Sequence, residues 1–306
     1  MTKLAILTTF PPNRWTAYAK RMIESHIQYW PDDVKLYAYY EGAEPELKNE
    51  KVVYINIENA NPELVKFKQR HKKDPVANGE VNEIAGGVRR DPNAGKNDRG
   101  KGSYLWDAVR FSHKTFAVDH AIKTIDADYI LWLDADTYTF RNISTDFVTG
   151  LLPSDKLVNF LGRGNMYPEC GWVCYNKRHP KITEFMKYWT TLYINDTIFK
   201  ELEWHDSYLF WQCVKRIAPE DGVDIGEGAG AQGHHVFVNS VLGGYVDHMK
   251  GKRKVLGKSS KSDLRGNRNE EYWKNVENYD PFGGVKFDAK QADDIISKVA
   301  KGKQGN

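Results

Sequence analysis

The sequence predicts an α/β domain with a mainly parallel central sheet flanked by helices. Three observations carry that expectation. Short apolar runs of strand length alternate with segments of helical spacing. The run Tyr129-Ile130-Leu131-Trp132-Leu133 contains no charge, which suits a strand buried on both faces. Strand, helix and strand follow one another within about 40 residues at the amino end, a βαβ unit that favours parallel pairing and right-handed crossovers.

Residues 3–8 form the first apolar run, stopped by Thr8-Thr9-Phe10-Pro11-Pro12. Residues 15–29 have helical spacing, with Ala17, Met22, Ile23 and Ile27 on one face. Residues 34–40 and 52–55 read as the second and third strands. Ligands of such a sheet bind in the loops after the strands. That singles out Thr8, Thr9 and Phe10 after the first strand, and Tyr40, Glu41 and Gly42 after the second. Residues 60–104 lose periodicity and are rich in Asn, Gly, Lys and Arg. Loops of that length are usually functional or disordered, so they read as a long basic insertion over the active face, with a short helix near 61–72.

A helix resumes over 104–123, with Val109, Phe116 and Ala117 toward the sheet and Arg110 and Lys114 sharing a face. After the 129–133 strand come a short strand over 157–161, an extended segment over 169–176, and helices over 181–193 and 206–217. The last of these opens at Trp204-His205-Asp206-Ser207, where Asp206 or Ser207 is the expected N-cap. Residues 222–234 hold five glycines and read as a mobile loop. Residues 241–248 form the last strand, followed by Met249-Lys250-Gly251-Lys252-Arg253-Lys254, a polar tail and a final helix near 288–300. One domain is expected over 1–255, with 256–306 a basic linker and helical extension packed on it.

The chain has 306 residues, 41% hydrophobic and 13% aromatic, enough for one large core. Its net charge is only +3, but the charge is segregated. Residues 66–101 hold ten Lys/Arg against five Asp/Glu, and residues 250–268 hold eight against Asp263 alone. Such segregation fits a polyanionic partner, or two solvated loops. Cys170, Cys174 and Cys213 are too few for a disulfide framework; they fit a reducing compartment and read as small buried apolar residues. No apolar run reaches the ~18 residues of a membrane span, and the amino end lacks the apolar region of a signal peptide. A soluble, cytoplasmic protein is expected.

Asp134 and Asp136 close the long buried strand. Side chains i and i+2 of an extended chain point the same way. Two converging carboxylates repel unless a proton or a cation separates them. A divalent cation carrying phosphate oxygens is the natural partner. Taken alone, Asp-x-Asp is a weak motif, and the bland reading of the pair is two solvated aspartates at a strand end.

With these elements in order, the chain resembles the metal-dependent glycosyltransferases of GT-A fold, Rossmann-like enzymes that use a nucleotide-sugar donor. Leu131-Trp132-Leu133-Asp134-Ala135-Asp136 is similar to their Asp-x-Asp strand end. His248-Met249-Lys250-Gly251-Lys252-Arg253-Lys254 matches the His-x-x-Gly-x-x-Lys pattern of the glycogenin and lipopolysaccharide galactosyltransferase group. That group follows the Lys with Pro-Trp, where this chain has Val255-Leu256. Cys170-Gly171-Trp172-Val173-Cys174-Tyr175-Asn176 resembles the acceptor-side segment, a Gly-centred run ending in Asn. The resemblance covers roughly residues 1–255.

The resemblance implies that Asp134, Asp136 and His248 hold a divalent ion, Mn²⁺ or Mg²⁺. An imidazole among carboxylates suits Mn²⁺ better than Ca²⁺. It implies Lys254, with Lys250 or Arg253, on the diphosphate of a UDP-sugar or another nucleoside-diphosphate sugar. Ala135 lies between the two aspartates at the donor, and Gly251 lets the backbone approach it. Arg110 and Lys114 would reach the sugar or the first aspartate. Thr8, Thr9, Phe10, Tyr40 and Glu41 would hold base and ribose. Asp206, with His205 beside it, is the acceptor-side candidate: one of them is the general base in an inverting enzyme, whereas a retaining one needs none.

Thr8-Thr9-Phe10-Pro11, Arg110-Phe111-Ser112-His113-Lys114 and Trp132-Leu133-Asp134-Ala135-Asp136 are also similar to glycosyltransferases of tailed bacteriophages, some of which add sugars to hydroxymethylated pyrimidines in DNA. That implies DNA as an acceptor, basic segments tracking phosphates, and Trp172 or Trp204 stacking on an extruded base. A saccharide, lipid or protein hydroxyl is the alternative. A nucleotidyltransferase would usually carry a Gly-rich basic loop after the first strand, where this chain has Thr8-Thr9-Phe10-Pro11-Pro12. A non-enzymatic nucleic-acid-binding protein leaves Asp134, Asp136 and His248 unexplained.

Overall fold

The computed structural model describes residues 2–79, 83–84, 88–89, 104–164, 166–230, 235–251 and 253–277. The expected final helix over 288–300 and most of residues 80–103 lie outside the described residues.

The apolar runs fold as strands β1 (Leu4–Phe10), β2 (Lys35–Tyr40) and β3 (Val52–Asn56), then a small separate hairpin of β4 (Glu83–Ile84) and β5 (Val88–Arg89). They continue with β6 (Tyr129–Leu133), β7 (Thr137–Thr139), β8 (Val158–Arg163), β9 (Met166–Asn176), β10 (Gly222–Asp224) and β11 (Val246–His248). One seven-stranded sheet has the order β10-β8-β9-β6-β1-β2-β3. All its neighbours pair in parallel except the two that involve β9. β7 and β11 form a two-stranded antiparallel ribbon beside it. The mainly parallel sheet flanked by helices is therefore as the sequence predicts.

The helices are α1 (Lys20–Tyr29), α2 (Ile57–Ala60), α3 (Pro62–His71), α4 (Ala108–Thr124), α5 (Thr145–Gly150), α6 (Ile182–Ile194), α7 (Asp206–Ile217), α8 (Val236–Asn239), α9 (Arg253–Leu256) and α10 (Glu271–Lys274). Alternation along β6 explains its unbroken apolar character. Ile130 and Trp132 enter one core with Phe67, Phe116, Trp189 and Phe210 from α3, α4, α6 and α7. Leu131 and Leu133 enter the other with Met22 and Ile23 of α1 and Phe237 of α8.

Three elements differ from expectation for local reasons. Residues 15–19 form a π-helical turn before α1, which buries Ala19 and leaves Ala17 half-exposed. Residues 241–244 are a 3₁₀ turn and not strand: Ser240 Oγ accepts the Leu242 N–H, and a Cβ on Gly243 would sit 2.0 Å from the Val238 carbonyl oxygen. Only Val246–His248 is extended. The glycine-rich stretch begins with edge strand β10, where Gly222 lies so close to the Phe160 ring that a Cβ would approach it to 3.0 Å.

Beyond α9 the chain folds back on the ribbon. Asp247, fully buried in β11, accepts the Ser259 N–H and hydroxyl at 2.8 and 2.6 Å and the Tyr272 hydroxyl at 2.9 Å. The Tyr272 ring stacks on Phe140, with centroids 4.0 Å apart. Asp263 pairs with buried Arg253 through Nε at 2.8 Å.

Candidate metal and donor site

The ends of three strands assemble the site. Parallel β6 carries Asp134 at its carboxyl end. Antiparallel β9 enters the sheet at that same end, with Leu133 opposite Trp172 and the Asp134 N–H donating to the Gly171 carbonyl at 3.0 Å. Asp136 leads into β7, and the ribbon register sets His248 opposite Thr137. A local register therefore closes a gap of 112 residues. His248 Nε2 lies 3.0 Å from Asp136 Oδ1 and 3.5 Å from Asp134 Oδ2. One ligand atom from each of the three residues lies within 4.8 Å of the other two.

Ammonium groups surround this cluster. Lys254 Nζ is 2.9 Å from Asp136 Oδ2 and 4.9 Å above the Tyr18 ring. Lys114, on the inner face of α4 and 5% exposed, sits 2.8 Å from Asp206 and 3.8 Å from Asp134. It also donates to the Cys170 carbonyl at 2.5 Å and lies over the Trp132 ring. Trp132 Nε1–H donates to Asp134 Oδ1 at 2.7 Å. Lys250 pairs with Glu169, whose Oε1 accepts the Gly171 N–H at 2.9 Å and lies 3.5 Å from His248 Nδ1.

Burial and these charges oppose one another. Burial raises the Asp134 carboxyl, and Asp136 and Asp206 add to that, against Lys114 and His248. Asp136 is also buried, but Lys254 and His248 hold it well below the usual carboxylate range. Burial disfavours charge on His248, yet Asp136 and Glu169 raise it. Asp206 is lowered against burial by Lys114. A buried carboxylate, a half-buried one and a buried imidazole aimed at one point form a donor set that fits Mn²⁺. Among the described residues, His248 Nδ1 has no hydrogen-bond partner.

The structure brings Asp134, Asp136, His248, Lys254, Lys114 and Asp206 together, and it redistributes other expectations. Arg110 is exposed, unlike Lys114 on the same helix. Arg253 pairs with Asp263 through Nε at 2.8 Å. His205, and not Asp206 or Ser207, caps α7: its Nδ1 accepts the Tyr208 N–H at 3.4 Å while Nε2 meets Glu203 at 2.7 Å. Trp172 is wholly buried with Nε1 on Asn159, and Trp204 is 3% exposed with its ring edge-on to Phe199. Neither indole is available to stack on a base. Ala135 is buried between the aspartates, and Gly251 has φ +59°, a conformation that favours glycine.

The strand-end residues Thr8, Thr9 and Phe10 lie beside Ala38, Tyr39 and Tyr40 in register. Thr8 Oγ1 is buried and has no hydrogen-bond partner among the described residues. Phe10 packs on Trp15, and the Tyr40 ring lies edge-on to Tyr54. Glu41 is held by Lys68 and by His113 Nε2 at 3.0 Å. His113 and Lys68 depress its carboxyl from 4.5 to about 2, so its stabilising contribution is present above pH 4.5 and is lost as pH falls through 2. Glu41→Gln is expected to lower stability near neutral pH by on the order of 2 kcal/mol. That difference from the parent should vanish in urea melts below pH 2. Lys114→Met should cost about 3 kcal/mol, because it removes a buried cation from Asp206, whose side chain is 15% exposed; denaturant unfolding at pH 7 measures it.

Glu169, Gly171, Trp132 and Tyr18 were not singled out as site residues from the sequence. The antiparallel entry of β9 is what brings Glu169 and Gly171 there, and no local pattern announces it.

No family model matches the chain, and no curated protein matches it. Among solved structures it is similar to mouse xyloside xylosyltransferase 1 in its apo form, at 11% identity over 72% of this chain and 84% of that one, with TM-score 0.44. It is similar to a glycosyltransferase involved in the glycosylation of the major capsid of PBCV-1, at 15% identity over 72% and 81%, with TM-score 0.35. It is also similar to the glycosyltransferase GlyE of Streptococcus pneumoniae TIGR4, at 10% identity over 99% of this chain and 64% of that one, with TM-score 0.42. Among the described residues, no helix is long and apolar enough to cross a membrane.

Proposed function

We propose that this chain is a metal-dependent glycosyltransferase that moves a sugar from a nucleoside-diphosphate sugar to an acceptor hydroxyl. One observation carries the reading: Asp134, Asp136 and His248 converge at the carboxyl end of a parallel sheet, ringed by lysines. A divalent ion, for which we propose Mn²⁺, supplies Lewis-acid stabilisation of the charge that grows on a diphosphate leaving group. Asp134, Asp136 and His248 would hold it. Lys254, already at the cluster, would pair with the diphosphate, for which UDP is the nucleotide we propose.

Lys114 links Asp134 to Asp206, so the donor and acceptor sides share one cation. Asp206 stays ionised beside it and is the group placed to receive a hydroxyl proton or to stabilise a cationic sugar ring. His205, engaged as a helix cap, would support α7 and not act as the base. Turnover of a panel of sugar nucleotides with and without Mn²⁺, with products read by mass spectrometry, tests the reading. No metal-dependent hydrolysis or transfer on any of them overturns it.

A hydroxymethylated pyrimidine in DNA, in a phage setting, is the acceptor to which the sequence resemblance points. Within residues 250–268, Lys250, Arg253, Lys254 and Arg268 are each paired with a carboxylate, which leaves fewer cations for phosphates. A gel shift on duplex DNA across a salt series judges this acceptor. Binding that is absent, or indifferent to salt, favours a saccharide, lipid or protein hydroxyl.

A further inference from the structure

Three consecutive residues of β9 border the gap between Asp134 and Asp206. The Gly171 carbonyl accepts the Asp134 N–H at 3.0 Å. The Cys170 carbonyl accepts from Lys114 at 2.5 Å, and Lys114 pairs with Asp206 at 2.8 Å. Glu169 pairs through Oε2 with Lys250. One strand thus fixes two ammonium groups beside the path from the metal cluster to Asp206, and their settings differ. Lys114 has a side chain 5% exposed, committed to Asp206 and the Cys170 carbonyl. The Lys250 side chain is 44% exposed, over a carboxylate that is 4% exposed. The cation stands at the mouth and its anion at the floor.

Lys250 and Lys254 also part company. Lys254 Nζ lies 2.9 Å from Asp136, on the metal side. Lys250 sits in the turn after β11, with its N–H on the His248 carbonyl at 3.1 Å, and its ammonium meets β9. An ammonium has three N–H donors, more than one carboxylate oxygen takes, so Lys250 has donors to offer at the mouth. Glu169 cannot turn to follow a ligand, because its Oε1 accepts the Gly171 N–H at 2.9 Å. What such a pair recognises follows from charge. The ammonium is already balanced, so a group beside it needs to bring lone pairs and not a negative charge. A sugar hydroxyl does so. A carboxylate in the same place would meet Glu169 just behind the ammonium, where little water screens the repulsion.

We propose that Lys250, held by Glu169, is a specificity-determining residue for the transferred sugar: its ammonium donates to a hydroxyl oxygen of an uncharged sugar, and the Glu169 carboxylate behind it disfavours sugars that carry an acid group. The inference rests on the glycosyltransferase reading and adds the class of sugar to it. It also divides the two lysines, with Lys254 serving the diphosphate and Lys250 the sugar. Exclusion by a fixed like charge is a common way to build such a preference.

Calorimetric titration of the full chain with Mn²⁺ present compares UDP alone with matched donors: UDP-glucose against UDP-glucuronate, and UDP-galactose against UDP-galacturonate. The uncharged member of a pair should bind ~10-fold tighter than the acidic one. Lys250→Met should weaken the uncharged donor ~10-fold and leave the affinity for UDP alone at the parental value. Glu169→Gln keeps the shape and should narrow the gap by tightening the acidic donor. Acidic donors that the parent binds as tightly as their uncharged partners overturn the proposal. So does a Lys250→Met chain that keeps parental affinity for every donor, or one that loses UDP and UDP-sugars equally, which would put the lysine on the diphosphate. If a single variant does not fold, Glu169→Leu and Lys250→Met together replace the pair by apolar groups, and parental discrimination in that double variant overturns the proposal. A parent chain that binds no nucleoside diphosphate overturns the glycosyltransferase reading itself.

Discussion

Asp136→Asn is expected to lower Mn²⁺-dependent kcat/KM by about 10³-fold while the sheet stays folded. The figure corresponds to about 4 kcal/mol of transition-state stabilisation. Asp136 engages two cationic or imidazole partners in the cluster, with Oδ1 on His248 and Oδ2 on Lys254. Asparagine keeps the shape and one acceptor oxygen but removes the charge, so it separates ion binding from packing. Half-buried Lys254 and buried His248 lose an anion, which should cost about 1–3 kcal/mol of stability. Steady-state kinetics over a Mn²⁺ titration, alongside a melting curve, reads both quantities. A variant within tenfold of the parent at every Mn²⁺ concentration would show that the aspartate pair does not carry the chemistry.

Gly171→Ala should nearly abolish Mn²⁺ binding although it removes no ligand atom. The new methyl would lie 2.4 Å from His248 Cε1 and 3.1 Å from Glu169 Oε1. A fully buried imidazole cannot move aside into solvent. Either the ring leaves the line toward the aspartates or the ribbon shifts, and overpacking of this kind costs about 1–3 kcal/mol. Gly150→Ala is the control: a Cβ there meets nothing within 4 Å, so stability and Mn²⁺ affinity should be close to parental. Calorimetric titration of both variants with Mn²⁺ checks the contrast. Equal affinities would mean that the slot over Gly171 does not fix the ring.

Much of this arrangement is legible in the sequence. The charge-free run before Asp134 signals a strand covered on both faces, and the chain folds it that way because α4 and α7 lie on one side and α1 and α8 on the other. Asp134 and Asp136 could be paired because a strand end and aligned side chains are local properties, and His248 joined them through the resemblance of its His-x-x-Gly-x-x-Lys run. What stayed illegible is what depends on pairing between distant segments. The direction of β9 is set by its partners β6 and β8, so the placement of Glu169 could not be seen in Glu169-Cys170-Gly171 itself. Likewise, the basic run after His248 looks solvated in sequence, but Arg253 and Lys250 meet Asp263 and Glu169 only once the extension and β9 are in place. Residues 241–244 look like strand because they are apolar, and the Ser240 cap with Gly243 packed against Val238 turns them instead.

β11 is three residues long, and both of its sides are committed. His248 faces the carboxylates while Asp247, one step earlier, faces Ser259 and Tyr272. Because neighbours on a strand point to opposite sides, adding or removing one residue in the ribbon would exchange them. A carboxylate would then enter a cluster that already holds two, and an imidazole would face a tyrosine hydroxyl. Parity, more than length, is therefore the constraint on this part of the chain. Between Thr137–Thr139 and Val246–His248 the pairing tolerates changes only in steps of two.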